Sequence, residues 1–230
     1  MRTSIKYLMA IFLLATTLVA CKKDKYKNDG GVHSPNVNFT TYDYLKQHGS
    51  FDSLIAIIDM AGLKDMVNNS KTFFAVPDWG VKDYILAKKQ KKIIELQDEN
   101  IEFYLKDLDV YVLRDSLKMY SFKETVNRTN ITVKGKEYET EFGPMANNSK
   151  MYLYLRRVIN YNDYVGTVDF INFGRVIGTV DREEPDVNLI PLDQRDKFAE
   201  CQTTGIITTT GTLHVLNNFH RLFFNAEPLP

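Results

Sequence analysis

Thr72-Phe73-Phe74-Ala75-Val76-Pro77-Asp78-Trp79-Gly80-Val81 is the stretch on which the reading of the fold turns. Its first half is too apolar and too rich in β-prone residues for an exposed loop, so residues 71–76 predict a buried strand. Asp78 stands before Val81, Tyr84, Ile85 and Ala87 and is expected to cap a helix. That helix should run to the lysines of residues 88–92, whose charges would complement its negative end.

Upstream of this stretch, residues 41–45 open a short helix that Gly49 can stop. Phe51, Leu54, Ile55, Ile58 and Ala61 then form a helical stripe, ended where Gly62 offers a left-handed cap. Downstream, residues 101–105 read as a helix and 109–113 as a short strand. Beyond Thr125 the texture changes. Residues 130–133 and 138–142 flank Lys134-Gly135-Lys136 as a hairpin, and 151–156, 167–173 and 175–180 read as strands. Residues 205–209 and 213–216 carry the last strand pair. Helices in the first half and strands in the second predict an α+β domain.

The opening stretch resembles the first conserved segment of fasciclin domains. Thr72, Phe74, Ala75 and Asp78 match it, with small Gly80 and apolar Val81, while the proline is displaced by one residue to Pro77. Thr209-Thr210-Gly211-Thr212-Leu213-His214-Val215-Leu216-Asn217 resembles the second segment through Gly211, Leu213, His214, Val215, Leu216 and Asn217. The family's Tyr-His pair maps to Val110-Tyr111-Val112-Leu113, which has no histidine. The resemblance spans about residues 39–224. It implies a β-sandwich or wedge with several helices in its first half, and an extracellular adhesion or interaction module. The stretch 143–198 is longer than a minimal domain of this kind needs and is expected to hold an insertion. Thr72, Phe74, Ala75, Asp78, Gly211, His214 and Asn217 are expected to determine the fold: strand residues, a helix cap, a turn glycine and a packed histidine.

At the other end of the chain, Arg2 and Lys6 precede an apolar run over residues 7–20 that closes on Leu18-Val19-Ala20-Cys21. Charge, apolar run and small-residue exit are those of a secretory signal. The run would form about 21 Å of helix, short of the roughly 30 Å of a hydrocarbon core. Residues 18–21 look like the bacterial lipobox, which predicts cleavage before Cys21 and diacylation of that cysteine, with attachment to the outer membrane facing either the periplasm or the exterior. Residues 22–38 are polar, carry Gly30, Gly31 and Pro35, and read as a flexible tether to a single domain from residue 39. Residues 1–20 hold two of the 29 basic residues and none of the 29 acidic ones, so the mature chain is slightly acidic. Nucleic acid is not an expected partner. With Cys21 committed to lipid, Cys201 has no disulfide partner and reads as a small core residue.

Hydrolysis needs a nucleophile with its base, two placed carboxylates, or a clustered metal site. The sequence has no HExxH, GxSxG or phosphate-binding glycine loop, and His33, His48, His214 and His220 lack zinc-ligand spacing. Asp181-Arg182-Glu183-Glu184-Pro185-Asp186 is the densest acidic run and reads as a solvated loop. The expectation is a binding protein without cofactor, metal or catalytic residue. Tyr152, Tyr154, Tyr161 and Tyr164 are candidates for a glycan- or protein-binding surface, since flat aromatic faces stack on sugars. A surface polysaccharide-processing enzyme, and an accessory subunit of an outer-membrane glycan-uptake complex, stay open as alternatives. Asp52-Ser53-Leu54 and Asp115-Ser116-Leu117 resemble the O-glycan acceptor motif of exported Bacteroidetes proteins, and Asp52 and Asp115 equally suit helix starts.

Overall fold

The computed structural model describes residues 34–141, 150–159 and 167–225. The signal segment, the lipobox with Cys21, and Tyr161 and Tyr164 lie outside them. Residues from Pro35 onward cluster as one compact unit.

Three helices open the domain: α1 (Thr41–Gln47), α2 (Asp52–Ala61) and α3 (Lys64–Asn69). Phe51 and every member of the α2 stripe are buried, and Gly62 caps the helix at φ 66°. Thr40 caps α1 by accepting from Asp43 N at 3.1 Å. Strand β1 (Thr72–Ala75) is buried along its whole length, and α4 (Asp78–Leu96) follows Pro77. This helix outruns its expected end. The lysines of 88–92 sit in its middle, and its last turn carries no basic residue.

Two expected elements are replaced between α4 and the sheet. Residues 101–105 are not a helix, because only a 3-10 turn forms (Leu105–Asp107), held by Asp107 Oδ2 accepting from Tyr104 N at 2.8 Å. Residues 109–113 are not a strand. Asp109 caps α5 (Val110–Leu117) by accepting from Tyr111 N at 2.8 Å, and Leu113 and Leu117 bury one helix face against α2.

Seven strands then form one run ordered β2-β1-β7-β6-β5-β4-β3. They are β2 (Ser121–Phe122), β3 (Lys136–Tyr138), β4 (Lys150–Val158), β5 (Val168–Val176), β6 (Lys197–Ile207) and β7 (Thr212–Leu216) beside β1. β1 and β7 pair in parallel and the others antiparallel. Strand β6 pairs β5 over residues 197–200 and β7 over 201–207, with two register shifts in the second span. Such irregularities bend a strand and let it pass from one half of a sheet to the other. The far ends nearly meet. Lys123 N donates to Glu139 O at 3.3 Å and Glu141 N to Ser121 O at 2.9 Å, so the sheet curls into a near-closed wedge. The α+β class and the helices of the first half are therefore as expected.

The expected hairpin at 130–142 is corrected, because Thr132 and residues 136–138 lie along β4 while 139–141 turn to residues 121–123. Lys136 pairs with Leu153, and Thr132 O accepts from Leu155 N at 2.9 Å. One strand, Val168–Val176, replaces the two expected over 167–173 and 175–180, and residues 177–180 lie beyond it. The break expected at Gly174 is a close approach instead, since a Cβ there would fall 2.1 Å from the Phe198 ring. Among the described residues of the stretch 143–198, 150–158, 168–176 and 197–198 are integral to the sheet, and the long part standing outside it is 177–196. The tether also ends earlier than residue 38. Ile207 N donates to Pro35 O and Val37 N to Ile207 O, each at 2.8 Å, which pins residues 35–37 to β6.

Candidate interaction surface

The two segments singled out in the sequence are neighbours in space. Along the parallel β1–β7 pair, Thr72 lies opposite Thr212, Phe74 opposite His214 and Ala75 opposite Val215. The Phe74 ring stacks on the His214 imidazole with centroids 4.9 Å apart and contacts Phe122 and Phe173 at 5.1 and 5.0 Å. Thr72 Oγ1 donates to Glu124 O at 2.9 Å and accepts from Val126 N at 2.8 Å. His214 Nε2 lies 3.0 Å from Val126 O, and Nδ1 accepts from Gly205 N at 3.2 Å. With Nδ1 an acceptor, the proton sits on Nε2 and the ring is neutral. Both segments thus clasp residues 124–126.

Burial pushes His214 down to about 4, and His220, wholly enclosed, down to about 3. His220 Nε2 is 2.9 Å from the Tyr120 hydroxyl, which accepts from Phe223 N at 2.8 Å. Phe223 and Phe224 take positive φ of 60° and 57°, strain that the buried aromatic packing around Tyr120, Phe173 and His220 offsets. Tyr120 and His220 thus form a buried hydrogen-bonded pair, whereas Tyr111 is exposed on α5. Cys201 is buried, and burial pushes its thiol up.

Asp78 is corrected in detail. Pro77 occupies the cap position of α4, and Asp78 caps the neighbouring helix by accepting from Ser53 N at 2.7 Å, while its own N–H reaches Ser50 O at 3.0 Å. Gly211 does not need a positive φ. It is glycine because a Cβ would fall 2.4 Å from Ser70 O, where β7 crosses the end of α3. Asn217 Oδ1 accepts from Phe219 N at 3.1 Å and turns the chain toward His220. Of the possible glycan acceptors, Ser116 is buried and Ser53 is half-buried at the start of α2.

Of the expected tyrosine surface, Tyr161 and Tyr164 lie outside the described residues, and Tyr152 and Tyr154 do not present open faces. Tyr152 is buried, with its hydroxyl donating to Lys134 O at 2.5 Å. The Tyr154 ring is covered by the Arg182 guanidinium at 3.7 Å and met edge-on by Phe198. Strand alternation concealed this: residues two apart share a face, and that face is sheltered by Lys134 and the 177–196 segment.

That segment is the more distinctive surface. Its two ends are tied by reciprocal carboxylate–backbone bonds. Asp196 accepts from Ile177 N and Asp181 N, both at 2.9 Å, and Asp181 accepts from Asp196 N at 2.8 Å. Burial first, and the neighbouring Asp181 charge as well, raise Asp196 above the usual carboxylate range, while the two backbone bonds oppose the shift. Inside the loop, Arg195 Nε donates to Ile190 O at 2.9 Å and Lys197 Nζ to Leu192 O at 3.2 Å. So tied, the loop exposes Leu189 by 82% and Leu192 by 73%, with Val187 beside them. It borders a hollow of about 470 Å3 lined by Ile177, Thr179, Asp181, Glu184, Leu189 and Pro191. In the sequence Asp181 is one member of an acidic run that reads as a solvated loop, and Asp196 stands in no motif. The available signal was an aspartate at each end of a segment carrying Pro185 and Pro191. Among the described residues no cluster of three potential metal ligands forms.

No family model and no curated protein matches the chain. Among solved structures it is similar to a FAS1 domain pair from the insect cell adhesion molecule fasciclin I, at 16% identity and a TM-score of 0.40. The match covers 76% of this chain and 45% of that one, so the chain spans under half the length of the protein it matches.

Proposed function

We propose that this chain is a cell-envelope lipoprotein, anchored to the outer membrane by lipid on Cys21, whose folded domain is an adhesion-type interaction module without catalytic activity. The observation that carries the reading is the 177–196 loop. Connections this long inside compact domains are uncommon and usually functional, and this one is tied at its base while its aliphatic side chains face water. The groups best suited to chemistry, His214, His220, Tyr120 and Cys201, are all spent in the core. The expected partner is an envelope or extracellular protein in preference to a glycan. Aliphatic knobs fill protein pockets, whereas sugars stack on open aromatic faces, and the Tyr154 face is occupied by Arg182.

A photo-crosslinking residue at Leu189 of the full-length protein in intact cells should capture a discrete envelope protein. Capture should be lost in the Leu192→Asp variant. Glycan-array binding with no protein adduct would favour a carbohydrate ligand. Polysaccharide turnover abolished by Glu183→Gln or Glu184→Gln would replace the binding reading with the enzyme.

A further inference from the structure

Helix α4 is 19 residues long, yet its buried residues are Gly80, Val81 and Tyr84, all in its first two turns. At 100° per residue, Trp79, Leu86 and Ile93 recur every seventh position on the face turned away from those three. Lys82, Lys89 and Leu96 recur beside them with the same period; Trp79, Lys82, Leu86 and Leu96 are exposed, and Lys89 and Ile93 half-buried. Trp79 is 66% exposed and Ile94, on the flank, 75%. The helix carries five lysines and three acids. Each acid has a partner: Asp78 with Ser53 N–H, Asp83 with Arg221 at 3.8 Å, and Glu95 with Lys91 at 3.8 Å.

From this arrangement we infer that the outer face of α4 docks on the anionic phospholipid surface of the membrane. An apolar stripe about 21 Å long, begun by a tryptophan and carrying Lys82 and Lys89 along one edge, matches the boundary between head groups and acyl chains: apolar side chains enter it, lysine stems lie along it, and ammonium groups meet phosphate. Among the described residues no helix is long and apolar enough to cross a membrane. A second copy of the chain is a poorer occupant. Pairing two such helices along the stripe would place Lys82 and Lys89 in the seam, where like charges lose water without a counter-charge.

The inference rests on the lipoprotein reading in one respect, which is distance. From Cys21 to the pinned residues 35–37 the chain has roughly 14 residues, at most about 48 Å when fully extended. The domain would then always stay within reach of the bilayer.

Trp79 is the only tryptophan of the chain, so its fluorescence reports this face alone. The full lipidated protein is reconstituted on neutral phosphatidylcholine vesicles and on vesicles containing phosphatidylglycerol. On the anionic vesicles Trp79 emission should shift to the blue, resist acrylamide and be quenched by brominated acyl chains. Lys82→Gln or Lys89→Gln should each lower the docked fraction's equilibrium constant roughly fivefold. Protein that floats with anionic vesicles while Trp79 stays as open to acrylamide as on neutral ones would overturn the inference. A blue shift that follows protein concentration and ignores lipid charge would do so in favour of a second copy. Protein that floats with neither vesicle would count against the lipid anchor alone, and Trp79 emission with excess free anionic vesicles then decides for the helix.

Discussion

The paired segments of β1 and β7 and the 177–196 loop both satisfy backbone groups with side chains, and they do so for opposite ends. In the strands, Thr72 and His214 spend their hydrogen bonds inside a dry aromatic layer, so that Phe74, Phe122 and Phe173 close around them. In the loop, Asp181 and Asp196 spend theirs at the neck, and the apolar side chains beyond are held out in water. Saturated polar groups rigidify in both places. The first rigidity is what folding requires, and the second is what recognition requires, because a contact surface fixed in advance loses less entropy on binding.

The two regions should also respond to acid with opposite sign, and this is the largest effect expected. His214 and His220 titrate near 6.5 when unfolded but at about 4 and about 3 in the fold. A base with a depressed folded pKa contributes stability that is complete above its unfolded value and is lost as pH falls below it. From about pH 6.5 down to 4 the unfolded chain takes up two protons that the core refuses, a loss on the order of 5 kcal/mol and comparable to the whole stability of a domain. Asp196, raised by burial, contributes in the other direction: its share is present below the unfolded carboxylate range and is lost as pH rises through its folded value. Urea midpoints measured between pH 7.5 and 4.5 should therefore fall steeply. In His214→Gln the slope should be about halved. An unchanged slope would mean that water reaches the imidazoles and the core is not dry.

A smaller effect separates capping from packing within the first segment. Asp78→Ala leaves Ser53 N–H at the start of α2 without its acceptor and should cost about 1 kcal/mol. Asp78→Asn, which keeps an oxygen at that position, should recover most of it. The measurement is the urea midpoint at pH 7. If alanine and asparagine behave alike, water replaces the carboxylate and the cap is not what Asp78 supplies.

Much of the core was legible because periodicity carries it. The α2 stripe, the β1 run and the alternation of residues 151–156 are each a local pattern with one burial solution. Where local pattern and tertiary context disagree, the reading failed for identifiable reasons. Residues 110–112 are β-branched and aromatic, but Asp109 supplies two cap bonds and Leu113 with Leu117 makes a helical face. Gly174 looked like a break in a strand and is a site of close approach to Phe198. Asp78 was read as a cap correctly in kind and on the wrong helix, since capping from a distant residue leaves no trace in spacing. The alternation of Tyr152 and Tyr154 states that they share a face of β4, and nothing in it states that Lys134 and Arg182 would occupy that face. The loop was hidden for the same reason, because its neck is closed by Asp181 and Asp196, 15 residues apart.

The smallest change in global stability, and the sharpest contrast with the core, is expected at that neck. Asp196→Ala removes the acceptor for both Ile177 N and Asp181 N, and with it the charge facing Asp181. The two lost hydrogen bonds are only part-buried and contribute about 0.5 kcal/mol each, and relief of the raised carboxylate offsets part of that loss, so the net change falls below that of the Asp78 cap. The urea midpoint should move by less than a change in the core would move it. The loop should nonetheless open, since its ends are no longer joined, and Arg182 and Arg195 should become accessible to trypsin. Limited proteolysis of the folded variant at pH 7 should therefore cut within 177–196 at a rate well above wild type, while Asp78→Ala, though less stable, should not be cut there faster. Equal cutting in both variants would mean that the loop opens only when the whole domain does, and would remove the distinction between a region built to be buried and one built to be presented.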